Sequence, residues 1–212
     1  MRPIIGIVGR SETATDGYSL MSVHEEYRNA VLKKGGLPIL ILPTQILDYR
    51  TTKTADIPLL SYEEKEKLKF IVDLCDGIIH PGGERIYEYD HVICDYCRDC
   101  NKPMMGICMG MQLMGTELVK IPEPNGHFQK KNYAHKVFLK DGKLKDILKV
   151  DEMSVNSRHR FAVTNPNDYR VAAVSEDGLI EAMELEDQSF HIGVQWHPEL
   201  MIDYDSNMYQ FW

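Results

Sequence analysis

Residues 103–119 read P-M-M-G-I-C-M-G-M-Q-L-M-G-T-E-L-V. An apolar run from Pro103 to Ile107 leads into Gly106-Ile107-Cys108-Met109-Gly110, and an apolar stretch of helical character follows from Met111 to Val119. A short strand turning sharply into a helix is the setting of a nucleophile elbow. Glycine on both sides of Cys108 suits that turn, because lifting one side chain above a sheet crowds the adjacent backbone, and residues without a Cβ relieve the clash. A cysteine there sits at a helix N-terminus, where unpaired N–H groups and the helix dipole favour thiolate over thiol. Taken alone, the segment reads equally well as a small buried thiol between two packing glycines.

Strands and helices alternate upstream of the elbow. Pro3 to Val8 is a buried strand. Ser22 and Glu25 form a capping-box pattern ahead of a helix ending near Gly35, and Leu37 to Leu42 is a second strand. Ser61 and Glu64 repeat the capping box, with Leu68, Ile71, Val72 and Cys75 at helical spacing; Ile78 and Ile79 then lead into Pro81-Gly82-Gly83. Alternation with nearly continuous apolar strands predicts an α/β fold, a parallel sheet covered on both faces by helices. After about residue 120, Asp141-Gly142 and Asp177-Gly178 read as hairpin turns, which adds late antiparallel strands. With no internal repeat or low-complexity linker, residues 1–212 are expected to form a single domain.

A formal net charge of -8 argues against a duplex-binding face, since displacing counterions from phosphates needs a basic surface. No export signal is evident, and no stretch nears the roughly 20 apolar residues of a membrane-spanning helix. Five cysteines, an odd number, suggest reduced thiols. Neither nucleic acid nor membrane is expected as a partner, and a cytoplasmic location fits these features.

Gly193-Val194-Gln195-Trp196-His197-Pro198-Glu199 decides between the two readings of Cys108. An apolar strand ends in a histidine with a carboxylate two residues later, and the intervening proline stiffens the turn that aims both. Cysteine catalysis needs a histidine to take and return a proton and a third group to orient that histidine. Acyl transfer also needs donors aimed at the developing oxyanion. The backbone N–H of Met109 is one candidate and that of Gly83 a second, although Pro81-Gly82-Gly83 alone reads as an ordinary turn.

P-G-G at 81–83, G-I-C-M-G-M-Q at 106–112, N-S-R-H-R at 156–160 and G-V-Q-W-H-P-E at 193–199 together resemble the class I glutamine amidotransferase-like proteins. Within these the chain is most similar to the stand-alone gamma-glutamyl-gamma-aminobutyrate hydrolases of peptidase family C26. P-I-I-G-I at 3–7 and H-E-E-Y-R-N-A-V at 24–31 carry that narrower match. The resemblance implies a three-layer α/β/α sandwich, flavodoxin-like in its parallel part. It implies Cys108 as nucleophile, His197 as base and acid, Glu199 as its orienting carboxylate, and Gly83 and Met109 as oxyanion donors. It also brings Gly82, Gln112 and His159 near the substrate. The implied reaction hydrolyses a γ-glutamyl amide, or glutamine, through a γ-glutamyl thioester, and needs neither metal nor organic cofactor. Three features depart from the hydrolase pattern: Met109 stands where arginine is common, Glu117 to Ile121 replace a Gly-Gly, and the chain is short around 84–95 and 120–135.

His91, Cys94, Cys97 and Cys100 recur every third residue, a spacing found in metal sites. On a helix such positions spiral around the axis, so incidental thiols are the expectation and no metal ligand is assigned. Arg158 or Arg160, flanking His159, could pair with a substrate carboxylate. Three roles fit these residues: an independent amidohydrolase, alone or as a homodimer; a glutaminase subunit delivering ammonia to a separate synthase; and a non-catalytic binding protein on the same fold.

Overall fold

A computed structural model describes residues 1–123 and 126–212; residues 124 and 125, part of the 120–135 stretch expected to be short, lie outside the described residues. The chain opens with β1 (Ile4–Val8), a short pair β2 (Arg10–Thr13) and β3 (Ser19–Ser22), α1 (Glu25–Lys33) and β4 (Leu37–Ile41). Then come α2 (Tyr62–Asp73), β5 (Gly77–His80), α3 (Glu88–Asp99), β6 (Met104–Ile107) and the one-turn helix α4 (Met109–Gln112). The second half comprises β7 (Glu117–Lys120), β8 (His135–Leu139), α5 (Lys143–Leu148), β9 (Glu152–Val155), β10 (Phe161–Asn165), β11 (Arg170–Ser175), β12 (Ile180–Glu184), β13 (His191–Val194) and α6 (Ser206–Phe211).

Among the described residues nine strands form one sheet, ordered β4-β1-β5-β6-β13-β12-β11-β8-β9. The five from β4 to β13 are parallel and the rest antiparallel. In chain order the parallel part reads 2-1-3-4-5, the flavodoxin-like arrangement. Side chains alternate between two apolar clusters, as the period-2 pleat requires. Ile7, Ile79, Met105 and Ile107 pack with residues of α1, α5 and α6, whereas Val8, Ile78 and Met104 pack with residues of α2 and α3. The expected three-layer α/β architecture is thus the observed one. No helix of the described residues is long and apolar enough to cross a membrane.

The Ser61–Glu64 capping box forms as expected, with both reciprocal bonds made. Three local expectations fail, each through a longer-range contact. Ser22 does not cap α1, whose N-cap is His24; it lies in β3, opposite Arg10, and its hydroxyl donates to Glu12. The apolar stretch after the elbow is helical only to Gln112, and Glu117–Lys120 instead pairs antiparallel with β10. Gly115 lies so close to β10 that a Cβ would fall 2.4 Å from Val163. Asp177-Gly178 does turn the β11–β12 hairpin, with Gly178 at φ +84°. Asp141-Gly142 instead starts α5, because the buried Glu184 carboxylate accepts the N–H groups of Lys143 and Leu144.

Candidate active site

β6 and β13 are parallel neighbours with Ile107 opposite Val194, so their C-terminal ends carry Cys108 and the 195–199 segment to one place. Cys108 follows β6 directly, donates its N–H to Val194 O at 2.8 Å, and has φ 53° and ψ -104°. A non-glycine residue in that region is strained, and its surroundings must hold it there. Both flanking glycines are required by backbone, not side chains. A Cβ at Gly106 would lie 2.6 Å from Gly110 O, and one at Gly110 would lie 2.1 Å from His80 O.

His197 follows Trp196, which is fully buried. Its backbone is clamped by Asn156: His197 N–H donates to Asn156 Oδ1 and Asn156 Nδ2 donates to His197 O, each at 2.8 Å. Glu199, on the 3-10 turn Pro198–Leu200, is buried and places Oε1 2.6 Å from His197 Nδ1. Nδ1–H therefore donates to the carboxylate, which leaves Nε2 as the ring nitrogen free to face the Cys108 thiol. Burial opposes charging of the ring, yet Glu199 and Cys108 together outweigh it and raise His197 to about 10. An imidazolium between a carboxylate and a sulfur is the state this geometry favours.

That shift has a measurable consequence. A histidine raised on folding contributes stability fully below its unfolded value of about 6.5, and the contribution is lost as pH rises through about 10. Unfolding free energy from urea titrations is expected to fall between pH 7 and pH 10, less steeply in Glu199→Gln. Equal slopes in the two proteins would contradict the assigned coupling.

Pro81-Gly82-Gly83 lies across from the elbow. A Cβ at Gly82 would meet His197 Cε1 at 3.0 Å and Cys108 Cβ at 3.5 Å, and one at Gly83 would meet Arg10 Cδ at 3.0 Å and Met109 Sδ at 3.1 Å. Gly82 N–H donates to the buried Tyr27 hydroxyl at 3.0 Å. Burial first, then the nearby Glu199 charge, push that phenol well above its ordinary value. Tyr27 lies within the H-E-E-Y-R-N-A-V segment that carries the hydrolase resemblance, but nothing in the sequence singled it out. Under the loop, Arg10 donates to both Asp90 oxygens at 3.1 and 2.6 Å, and Asp90 also accepts Tyr87 N–H, all of them buried.

These groups border a cleft of about 570 Å³ that includes Gly82, Gly83, Cys108, His197 and Glu199. Arg50, Arg85 and Arg158 bring cationic heads to its wall, beside Glu12, Glu26 and Glu84. Two residues expected near substrate stand elsewhere. Gln112 is buried behind the elbow, its amide donating to Phe161 O at 3.0 Å and Gln195 Oε1 at 3.2 Å. His159 is buried against His127 and Glu181 rather than facing the cleft. Of the two arginines flanking it, Arg158 lines the cleft, while the Arg160 guanidinium stacks 3.6 Å from the centre of the Phe128 ring. Cys94 and Cys97 are buried on α3; burial pushes the Cys94 thiol up to about 12 and also raises Cys97.

A Peptidase C26 family profile matches residues 87–199. Among curated relatives, the gamma-glutamyl-gamma-aminobutyrate hydrolase of Escherichia coli is 28% identical over 93% of this chain and 85% of its own length. A glutamine amidotransferase-like protein of Rickettsia prowazekii is 26% identical over 95% of this chain and 92% of its own length. The CTP synthase of Thermotoga maritima is 29% identical over 68% of this chain but only 36% of its own length. Among solved structures, the Trypanosoma brucei CTPS glutaminase domain with bound acivicin has a TM-score of 0.66 at 15% identity. It covers 99% of this chain and 91% of that one.

Proposed function

The chain belongs to the Peptidase C26 family of glutamine amidotransferase-like proteins, and on that premise we propose that it hydrolyses a γ-glutamyl amide through a γ-glutamyl thioester on Cys108. The observation that carries this reading is the strained Cys108 elbow facing an imidazole whose far nitrogen is bound to Glu199 at 2.6 Å. In the proposed sequence the Cys108 thiolate attacks the amide carbon, and the carbonyl electrons move to an oxygen received by the N–H groups of Gly83 and Met109. His197 gives its Nε2 proton to the departing nitrogen as the C–N bond breaks. It then removes a proton from the water that attacks the thioester, so γ-carboxylate and free thiolate are regenerated. Glu199 holds the tautomer. Tyr27 fixes the glycine loop, and Asn156 positions the His197 backbone.

Residues 1–212 are read as one domain acting in this way, with the amine released to solvent. With Arg158 on the cleft wall, the preferred substrate is an amide whose leaving amine carries a carboxylate for that guanidinium to meet. Arg158→Ala is then expected to raise KM about 10- to 100-fold for γ-glutamyl amides of amino acids, the loss of one charge-assisted contact, with little change for glutamine. Equal effects on both substrates would remove Arg158 from that role. Similarity to a CTP synthase favours a second reading, a glutaminase that passes ammonia to a separate synthase chain. Turnover of a panel of γ-glutamyl amides beside glutamine separates the two. Robust hydrolysis of a bulky amide by the isolated chain supports the first, and glutamine turnover only with a partner supports the second. Failure of an electrophilic glutamine analogue to label Cys108 in folded protein would sink both.

A further inference from the structure

A second cluster of chemistry-bearing residues lies outside the cleft. His127 comes from the 126–134 segment, His159 from the turn before β10, and Glu181 from β12, and all three are buried. His127 Nδ1 lies 3.2 Å from His159 Nε2, and each of these nitrogens lies 3.4 Å from Glu181 Oε1. A tetrahedral ion with ligands at about 2.0–2.1 Å has ligand–ligand edges of about 3.3–3.4 Å, so the three atoms match one face of such a tetrahedron. The same separations are longer than the roughly 2.7–2.9 Å of a direct charge-assisted N–H···O bond.

The outer ring nitrogens have partners of the kind that orient metal-bound imidazoles. His127 Nε2 is 3.1 Å from an Asp177 carboxylate oxygen, and His159 Nδ1 is 3.0 Å from Phe161 O. Protons on those outer nitrogens turn both inner lone pairs toward the Glu181 carboxylate, so three acceptors converge. Neither Glu181 oxygen has a hydrogen-bond partner among the described residues, although the group is fully buried. His135, whose Nε2 is 3.3 Å from the same Glu181 oxygen, stands beside the cluster as the nearest fourth donor.

We propose that His127, His159 and Glu181 form a binding site for one divalent transition-metal ion, with the fourth position taken by water or His135. Two imidazoles and one carboxylate at tetrahedral spacing select zinc ahead of magnesium or calcium. The ion ties together the 126–134 segment, the 156–160 turn and β12. The same turn holds the active-site backbone: Ser157 Oγ donates to His127 O at 2.6 Å, and the adjacent Asn156 clamps His197. The ion's role is to position, and its presence does not depend on the hydrolase reading.

The test uses full-length Cys108→Ala protein, so that the elbow thiol cannot bind metal. The protein is stripped with a chelator and titrated with zinc chloride by calorimetry, and its melting temperature is measured with and without zinc. One equivalent is expected to bind and raise the melting temperature. The cobalt(II) form is expected to show an intense tetrahedral visible spectrum without a thiolate charge-transfer band. Asp177→Asn, a half-exposed outer partner, is expected to weaken binding about 10- to 100-fold, and His159→Asn to abolish it. Absence of stoichiometric uptake by the folded Cys108→Ala protein overturns the proposal, because the cluster then holds protons alone. A thiolate spectrum, or undiminished affinity in folded His159→Asn, assigns the metal to the cysteines and overturns it equally.

Discussion

Cys108→Ala is expected to lower turnover of the preferred γ-glutamyl amide by about 10⁴-fold or more, in the range seen when a nucleophile is removed from a catalytic triad. Substrate binding should survive, because the cleft, its arginines and the glycine loop are untouched. The distinguishing feature is stability. At φ 53° and ψ -104° residue 108 occupies backbone space that costs a side chain about 1–3 kcal/mol. Cys108→Gly should therefore be more stable than Cys108→Ala by that order, the reverse of the usual preference for alanine next to a helix. Both variants should be inactive. Retained activity in either would dismiss the nucleophile, and an alanine variant more stable than the glycine variant would dismiss the strain. The other thiols complicate labelling less than their number suggests, since burial raises both Cys94 and Cys97 and only Cys100 is exposed.

Gly110→Ala is expected to be the most damaging single-methyl change in the elbow. Its Cβ would lie 2.1 Å from His80 O and 2.8 Å from the carbon of that carbonyl, backbone atoms of β5 that cannot turn aside as a side chain can. Either α4 lifts off the sheet or β5 moves, and both responses shift Cys108 relative to His197. Overpacking a core commonly costs about 1–3 kcal/mol, and a clash with the central sheet belongs at or beyond the upper end. Gly17→Ala is the control, because its φ is +90° but nothing lies within 4 Å of the added methyl. Only the conformational cost of about 1–2 kcal/mol should appear there. Urea unfolding of both variants, with turnover measured on whatever Gly110→Ala remains folded, tests the comparison. Equal losses would mean that α4 and β5 relax around the added methyl, and that their close fit is not what Gly110 supplies.

The parts legible in the sequence were those in which the relevant atoms are close along the chain. A cysteine between two glycines and a histidine two residues from a carboxylate are local patterns, and each survives as a local geometry. Continuous apolar runs bounded by turns marked the parallel strands for the same reason, since period and burial are properties of a few consecutive residues. Gln112 illustrates the limit: it follows the elbow by four residues, yet its amide is taken by Phe161 and Gln195, and no local pattern encodes that. The Ser22 capping box failed likewise, because the pairing of β2 with β3 claimed the residue before α1 could.

What the sequence alone determined is therefore the parallel strands, the cysteine and histidine–carboxylate motifs, and the family to which they belong. Tertiary structure decided how they meet. Placing β13 beside β6 brings Cys108 to His197, and pairing Arg10 with Asp90 across 80 positions braces the loop above them. The convergence of His127, His159 and Glu181 is of the same kind. Three isolated residues in three segments carry no periodicity or spacing to read. They become a site only when the sheet and its flanking turns bring their lone pairs within a few ångströms.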